Sequence, residues 1–568
     1  MAFGALYHIA CSRLSLVSGQ SGSPAAAAVH AAIDMRRFPW IRPLVAAYTT
    51  DFASVAALFA GDPASPAAWR QCIERVSKTP RDRQRLAGAV AAQLDRRDAP
   101  PEARAAARRL ADPSAVAVVA GQQAGLFGGP LYVLLKAITA IQMARALERD
   151  HHVPAVPVFW VDGEDHDWAE VRTALVLDAN YTPVPITASD VPGVGRHPVA
   201  SLILGDDIAA ALASLEQALA PTEFTAETIA MIRAWYRSGS RMGTAFAGLL
   251  DRLLGPHGLV VFESDDPALK PLAAKVFVQE LEQPGQTSMH AREAGRRMQQ
   301  LGHAPQVEPA DDAVALFYMD GEGRRAIKRR GPDFTIGERA CGAADLRAEA
   351  AAHPERFSPN VLLRPIVQDT LFPTACFVGG PAELAYQAQL GEVYRAFGVE
   401  APLLYSRASA TLADAAAVKF LDRSQMPLED LHPQDDAALN RLLESQLPPD
   451  VDRAIAETGD VLAERIRALS GVVAAIDPTL TGAVDTTELR IRETMGTLQN
   501  KIVQAAKRKD ETLRRQFGRT RTLVFPNGQP QERALSLPFF LNRYGLPLID
   551  RLVGTLPLDT SKHYVLQL

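Results

Sequence analysis

Residues 116–132 read VAVVAGQQAGLFGGPLY, and residues 157–167 read PVFWVDGEDHD. Each block opens with an apolar, β-branched run that stops at a glycine or acidic turn. The first turn is followed by an amphipathic helical pattern over 131–147. This spacing predicts a βαβ unit whose polar turns sit at the carboxyl ends of parallel strands, the edge where open α/β sheets bind ligands.

Working outward, GLVVFE at 258–263 predicts a further strand that turns at Ser264, Asp265 and Asp266 into a helix near Pro267. PTACFVGG at 373–380 predicts a strand ending in Gly379, Gly380 and Pro381, with a helix over about 382–397 and another strand from Ala401. The fold class is therefore α/β, a doubly wound parallel sheet whose core is split in sequence. Between about 285 and 360 the pattern changes. VALFYMDGEGRRAIKRR at 314–330 reads as a hairpin around Asp320, Gly321, Glu322 and Gly323, and this segment as an insertion. Residues 1–110 are Ala-rich and read as mostly helical, with FPWIRP at 38–43 expected to dock on the core.

From about 411 to 520 the period becomes heptad. Ile455, Leu462, Leu469 and Ile476 repeat by seven, with Ile466 and Val473 beside them. After a break at 477–482, Val484, Ile491, Leu498 and Ala505 repeat likewise, with Met495 and Ile502 as companions. Two long helices joined by a Pro/Gly turn predict an antiparallel coiled-coil hairpin; at about thirty residues the second extends roughly 45 Å. Residues 521–568 are richer in turns and aromatics and are expected to return to the core, which occupies residues 1–410.

The chain has 568 residues, enough for more than one domain, and its formal charge of -5 argues against a general polyanion-binding surface. Nucleic acid is not an expected partner. Cys11, Cys72, Cys341 and Cys376 are scattered and form no CxxC pair, which fits a reducing compartment better than a disulfide framework or a zinc site. No signal-peptide pattern or membrane-length apolar run occurs, so a cytoplasmic, soluble protein is expected.

Three strand-end loops carry the candidate chemistry. The first, Gly121 to Pro130, matches neither GxGxxG nor GxxxxGK[ST]; Gly121, Gly125, Gly128 and Gly129 would let an anion or nucleotide approach the backbone, and Gln122, Gln123 and nearby Tyr132 would bind substrate. A tight turn with solvated glutamines is the alternative. The second packs Asp162, Glu164, Asp165, His166 and Asp167 together, suited to holding a cation, pairing with an ammonium group or taking a proton from an amine, or simply to capping a helix. Not all five can face one site, and Asp162, Glu164 and either Asp165 or His166 are the catalytic candidates. The third pairs Gln368 and Asp369 with the anion-binding candidates Gly379 and Gly380, and with Glu383, Tyr386 and Gln389 on one helix face, read either as a substrate-binding face or as a polar helix face in water. Cys376 reads as a buried structural thiol. Lys507, Arg508 and Arg515 on the arm are candidates for nucleotide phosphates, against the alternative of a solvated coiled-coil face. No residue is assigned to a metal.

The blocks GQQAGLFGGPLYVLLKAITA, PVFWVDGEDHDWAEV, RPIVQDTLFPTACFVGGPAELAYQAQL and LVFPNGQPQERALSLPFFLNRYG resemble, in order and spacing, the BshC family of bacillithiol biosynthesis. The resemblance covers nearly the whole chain. It implies a Rossmann-like core similar to that of class I aminoacyl-tRNA synthetases, connecting-peptide insertions and a coiled-coil domain that forms homodimers. It also implies a ligase that joins the carboxyl group of cysteine to the amine of glucosaminyl malate. Sequences of the HIGH and KMSKS type are absent, so tRNA charging is not implied. Amide formation from a free carboxylate calls for activation, hence ATP or ADP as the expected nucleotide. Arg364 and Arg533 are candidates for malate's carboxylates, and Asn527 lies in the last block. A nucleotide-dependent scaffold using the arm is the alternative reading.

Overall fold

The computed structural model describes residues 28–445, 449–509 and 511–568, with side chains at 449–452, 503–504 and 506–509 left aside. Its central sheet has five strands, all parallel, in the order Leu403–Ser406, Thr374–Gly379, Val116–Gln123, Ala155–Asp162, Val260–Glu263. The apolar runs form central strands because helices cover both faces. Val116–Ala120 and Ala155–Val161 are buried. The crossover helix Leu131–His151 buries Leu134, Ile138 and Ile141 against one face and ends at His152 in a left-handed cap. Fully burying each such side chain contributes about 1.5–3 kcal/mol.

Because all five strands run the same way, their polar ends share one edge. Register fixes which ends meet: Gln123 lies opposite Asp162, and Gly379 opposite Ser406.

The insertion is a five-stranded antiparallel sheet, in the order Arg339–Cys341, Asp333–Ile336, Gly323–Arg330, Ala313–Asp320, Phe357–Pro359. Its expected hairpin turns at Gly321 and Glu322. Gly323 has φ 126°, and a Cβ there would lie 2.4 Å from the Arg196 carbonyl oxygen. That contact, with Arg324 N–H donating to Arg196 O at 2.8 Å, docks the hairpin on the core.

The sequence reading missed a third sheet. Ala28–Asp34, within the stretch read as mostly helical, runs antiparallel to Lys562–Gln567, which lies parallel to Ser409–Ala413. The run AVHAAID is alanine-rich, and its pairing partner lies at the far end of the chain, so tertiary pairing overrides local propensity. Phe38 is buried and stacks on Trp40, which meets Phe525 edge-on.

Two helices, Pro449–Ile476 and Thr481–Lys509, form the arm, bridged by Arg467 and Glu488 at 3.7 Å. Ile466, Val473, Val484, Ile491, Met495 and Ile502 are half-buried, whereas Leu462, Leu469, Ile476 and Leu498 are exposed. Among the described residues no helix is long and apolar enough to cross a membrane.

Candidate active site

A cleft of about 450 Å³ opens at the carboxyl edge of the parallel sheet. Gly121, Gln122 and Gln123 form part of its lining because their strand ends there. Lys136, on the crossover helix, reaches back beneath them. Its ammonium donates to Gly121 O and Gln122 Oε1, both at 2.8 Å, and pairs with Glu383 at 2.5 Å. Burial lowers the Lys136 pKa, opposed by the Glu383 carboxylate. Glu383 also accepts from Gly380 N–H at 2.7 Å, starting the helix Pro381–Gln387.

The acidic loop divides its residues between different tasks. Asp162 lines the cleft, and burial raises its pKa while Arg364 pulls it back. Glu164 is held by Lys270, yet burial pushes its pKa upward. Asp165 accepts from Gln123 Nε2. His166 stands outside the lining, about half exposed at the rim, with Nδ1 3.4 Å from Arg324 Nη1. Asp167 caps the short helix Trp168–Val171 by accepting from Glu170 N–H, while Glu170 itself lines the cleft.

Cations arrive from other segments. Arg364 donates to Tyr386 Oη at 2.9 Å and Gln368 Oε1 at 3.0 Å and packs over Trp160 and Phe377. Burial works against its charge, but Tyr386 and Asp162 raise its pKa overall. Tyr132 and Tyr386 line the cleft, and burial pushes each phenol up to about 12, so both are neutral hydrogen-bonding groups at physiological pH. Arg324 enters from the insertion, stacked 3.7 Å over Phe317 and held by Ser358 Oγ and Pro359 O. Arg407 and Arg533 flank the Tyr132 ring, at 5.6 and 6.0 Å from its centre. One cavity thus holds carboxylates able to receive an amine and guanidinium groups able to receive carboxylates.

Several expected site residues face elsewhere. Gly125, Gly128 and Gly129 are not in the cleft. Tyr236 donates to Gly125 O and accepts from Gly128 N–H, and a Cβ at Gly128 (φ 92°) would press on Leu537 and Leu249. Leu131 N–H, at the following helix start, donates to Leu535 O at 2.9 Å. This turn therefore approaches its own chain, which displaces the expected anion cradle. Gln368 and Asp369 are buried behind the cleft; Gln368 supports Arg364, and Asp369 accepts from Tyr394 Oη at 2.5 Å.

The helix expected over 382–397 is two helices, Pro381–Gln387 and Gly391–Phe397. Gln389 falls in the break and bonds Gln306, Val307 and Ala291, away from Glu383 and Tyr386. Gly379 accepts from Arg407 N–H without lining the cleft, whereas Gly380 lines it. Asn527 and Arg515 are exposed elsewhere. The side chains of Lys507 and Arg508 lie outside the described residues, as does Cys11. Cys376 is fully buried, and burial raises its thiol pKa, as suits a structural residue.

The sequence matches the family model for the BshC N-terminal Rossmann-like domain of bacillithiol biosynthesis over residues 31–408, and that for the BshC C-terminal coiled-coil domain over residues 410–568. The chain belongs to the BshC family. A BshC protein of Salinibacter ruber is 36% identical over 528 residues, covering 91% of this chain and 95% of the relative. Relatives from Koribacter versatilis and Solibacter usitatus are 33% and 31% identical, over 84% and 81% of this chain and 89% and 86% of their own. All three carry names that propose a cysteine ligase. Both BshC domains contribute to the cleft: Arg407 lies in the first and Arg533 in the second.

Sequence reading did not single out Lys136, Glu170, Arg324 or Arg407 as site residues. Lys136 is the one charged residue in LYVLLKAITAIQMA, and a lone charge on an otherwise buried helix was an available signal. Arg324 and Arg407 had none of comparable strength, since tertiary docking brings them in. Among the described residues no group of His, Cys, Asp and Glu is placed to hold a metal ion.

Proposed function

We propose that this chain is the ligase that joins the carboxyl carbon of cysteine to the amine of glucosaminyl malate, the last step in making bacillithiol. The reading rests on membership of the BshC family together with one observation, that Asp162 lines a single cleft at the sheet edge together with Arg324 and Arg364. Arg364 and Arg533 receive malate's two carboxylates. Asp162 takes a proton from the sugar amine, a task for which a carboxylate with a raised pKa is better matched than an ordinary one. The deprotonated nitrogen then attacks the activated carboxyl carbon, forming the amide C–N bond as the acyl C–O bond to the activating phosphate or adenylate breaks and that group leaves with the electron pair.

ATP supplies the activation of cysteine's carboxyl group in this proposal. The cleft's arginines are the groups fitted to its phosphates; the buried Gly125–Gly129 turn is not. The arm carries a second copy of the chain. Its exposed heptad residues Leu462, Leu469 and Ile476 support that assignment, because apolar surface repeated at heptad spacing is what a coiled-coil partner covers.

Purified protein incubated with cysteine, glucosaminyl malate and ATP should yield bacillithiol by mass spectrometry, and omission of any one should abolish it. Absence of product under these conditions would favour the nucleotide-dependent scaffold.

A further inference from the structure

Arg407 reaches the cleft from the end of the strand Leu403–Ser406, but its guanidinium is held from the coiled-coil family domain. Nη2 donates to Glu532 Oε1 at 2.6 Å, and both side chains are almost wholly buried. The other carboxylate oxygen, Oε2, accepts from Ser409 Oγ and from Ala410 N–H, each at 3.0 Å.

Behind Ser409 stands His563, with Nδ1 2.7 Å from Ser409 Oγ and Nε2 2.8 Å from Thr411 Oγ1. Burial lowers the His563 pKa to about 4, so the ring is neutral at physiological pH. Since the Ser409 hydroxyl donates to Glu532, it accepts from Nδ1–H, and Nε2 in turn accepts from the Thr411 hydroxyl. Every member of the chain of bonds then has its partner, and Glu532 is fixed. The preceding residue, Gln531, is fixed too, accepting from Leu412 N–H at 2.7 Å and donating to Leu412 O at 2.9 Å. The next residue, Arg533, lines the cleft beside Tyr132.

We propose that Glu532 is a positioning residue of the ligation site, setting Arg407 for the anionic acceptor. The proposal rests on the functional reading above. Without the Glu532 charge, Arg407 would turn to Glu383, the other carboxylate near it, and compete with Lys136 for that group.

Calorimetric titration of glucosaminyl malate into the full chain tests this with wild type, Glu532→Gln, Arg407→Gln and the double variant. Glu532→Gln should weaken binding by about tenfold. It should raise KM for glucosaminyl malate comparably, with kcat within about threefold. The double variant should bind no worse than Arg407→Gln alone, because the residues act as one unit. If Glu532→Gln does not fold, Glu532→Asp, which keeps the buried charge but withdraws it from Arg407, takes its place and should show the same direction of loss against wild type. Wild-type affinity in Glu532→Gln, or losses that multiply in the double variant, would overturn the positioning role while leaving the ligase reading intact. Failure of wild type to bind glucosaminyl malate would overturn both.

Discussion

The cleft and the arm invert each other's solvent exposure. In the cleft, Lys136 and Arg407 are 2% and 6% exposed, and each has a carboxylate partner. On the arm, Leu469 and Ile476 are 50% and 79% exposed, with apolar neighbours Val472 and Leu489 also open to solvent. Burying charge is costly unless partners are supplied, and exposing apolar surface is costly unless something covers it. On the proposed function, the cleft completes its chemistry within one chain, and the arm is the surface that a second copy would complete.

The largest effect should come from Arg364→Ala, which removes the guanidinium that bonds Tyr386 and lies near Asp162 in the cleft. Loss of a buried, hydrogen-bonded charge partner costs about 2–5 kcal/mol, so acceptor affinity should fall at least about thirtyfold by calorimetry. A change under twofold would place the anion elsewhere.

Glu280 sharpens the contrast, since it is a buried carboxyl held, among the described residues, by neutral donors, Thr287 Oγ1 and Ala315 N–H. Burial raises its pKa from 4.5 to about 7. The folded chain thus holds this proton more tightly than the unfolded chain. The resulting stability is complete below about pH 4.5 and is lost as pH rises through 7, by about 3 kcal/mol. Glu280→Gln should remove that share of the pH dependence in denaturant titrations at pH 5 and pH 8. Identical pH dependence in variant and wild type would contradict it.

On the arm, Leu469→Lys should weaken self-association by roughly tenfold, as expected for withdrawing one apolar side chain from an interface at about 1.5 kcal/mol. Sedimentation equilibrium reads this directly, and an unchanged dimer constant would move the interface off this face. Arg515→Ala and Asn527→Ala should be the quietest, changing turnover less than about twofold because both side chains are solvated away from the cleft.

How legible these regions were follows from how local their signals are. The parallel strands, the strand-end loops and the heptads repeat at short range, so their patterns declare them before any packing is known. Gln123 and Asp162 fall together because strand register joins two readable runs. Arg324, Arg407 and Glu532 depend on an insertion docking and on the chain's return from the arm, which no local period encodes. The Gly125–Gly129 turn misleads for the same reason, since glycines that admit a ligand also admit Tyr236 and Leu537.

Asp162 is the residue on which the ligase account turns. The rate of amide formation by Asp162→Asn, followed by mass spectrometry from pH 6 to pH 9 beside wild type, should fall by about 100-fold or more with the melting temperature little changed. Burial raises the Asp162 pKa, so wild type should lose rate as pH falls, and the variant should lack that part of the loss. A variant rate within twofold of wild type across this range would contradict the assignment of amine deprotonation to this cleft.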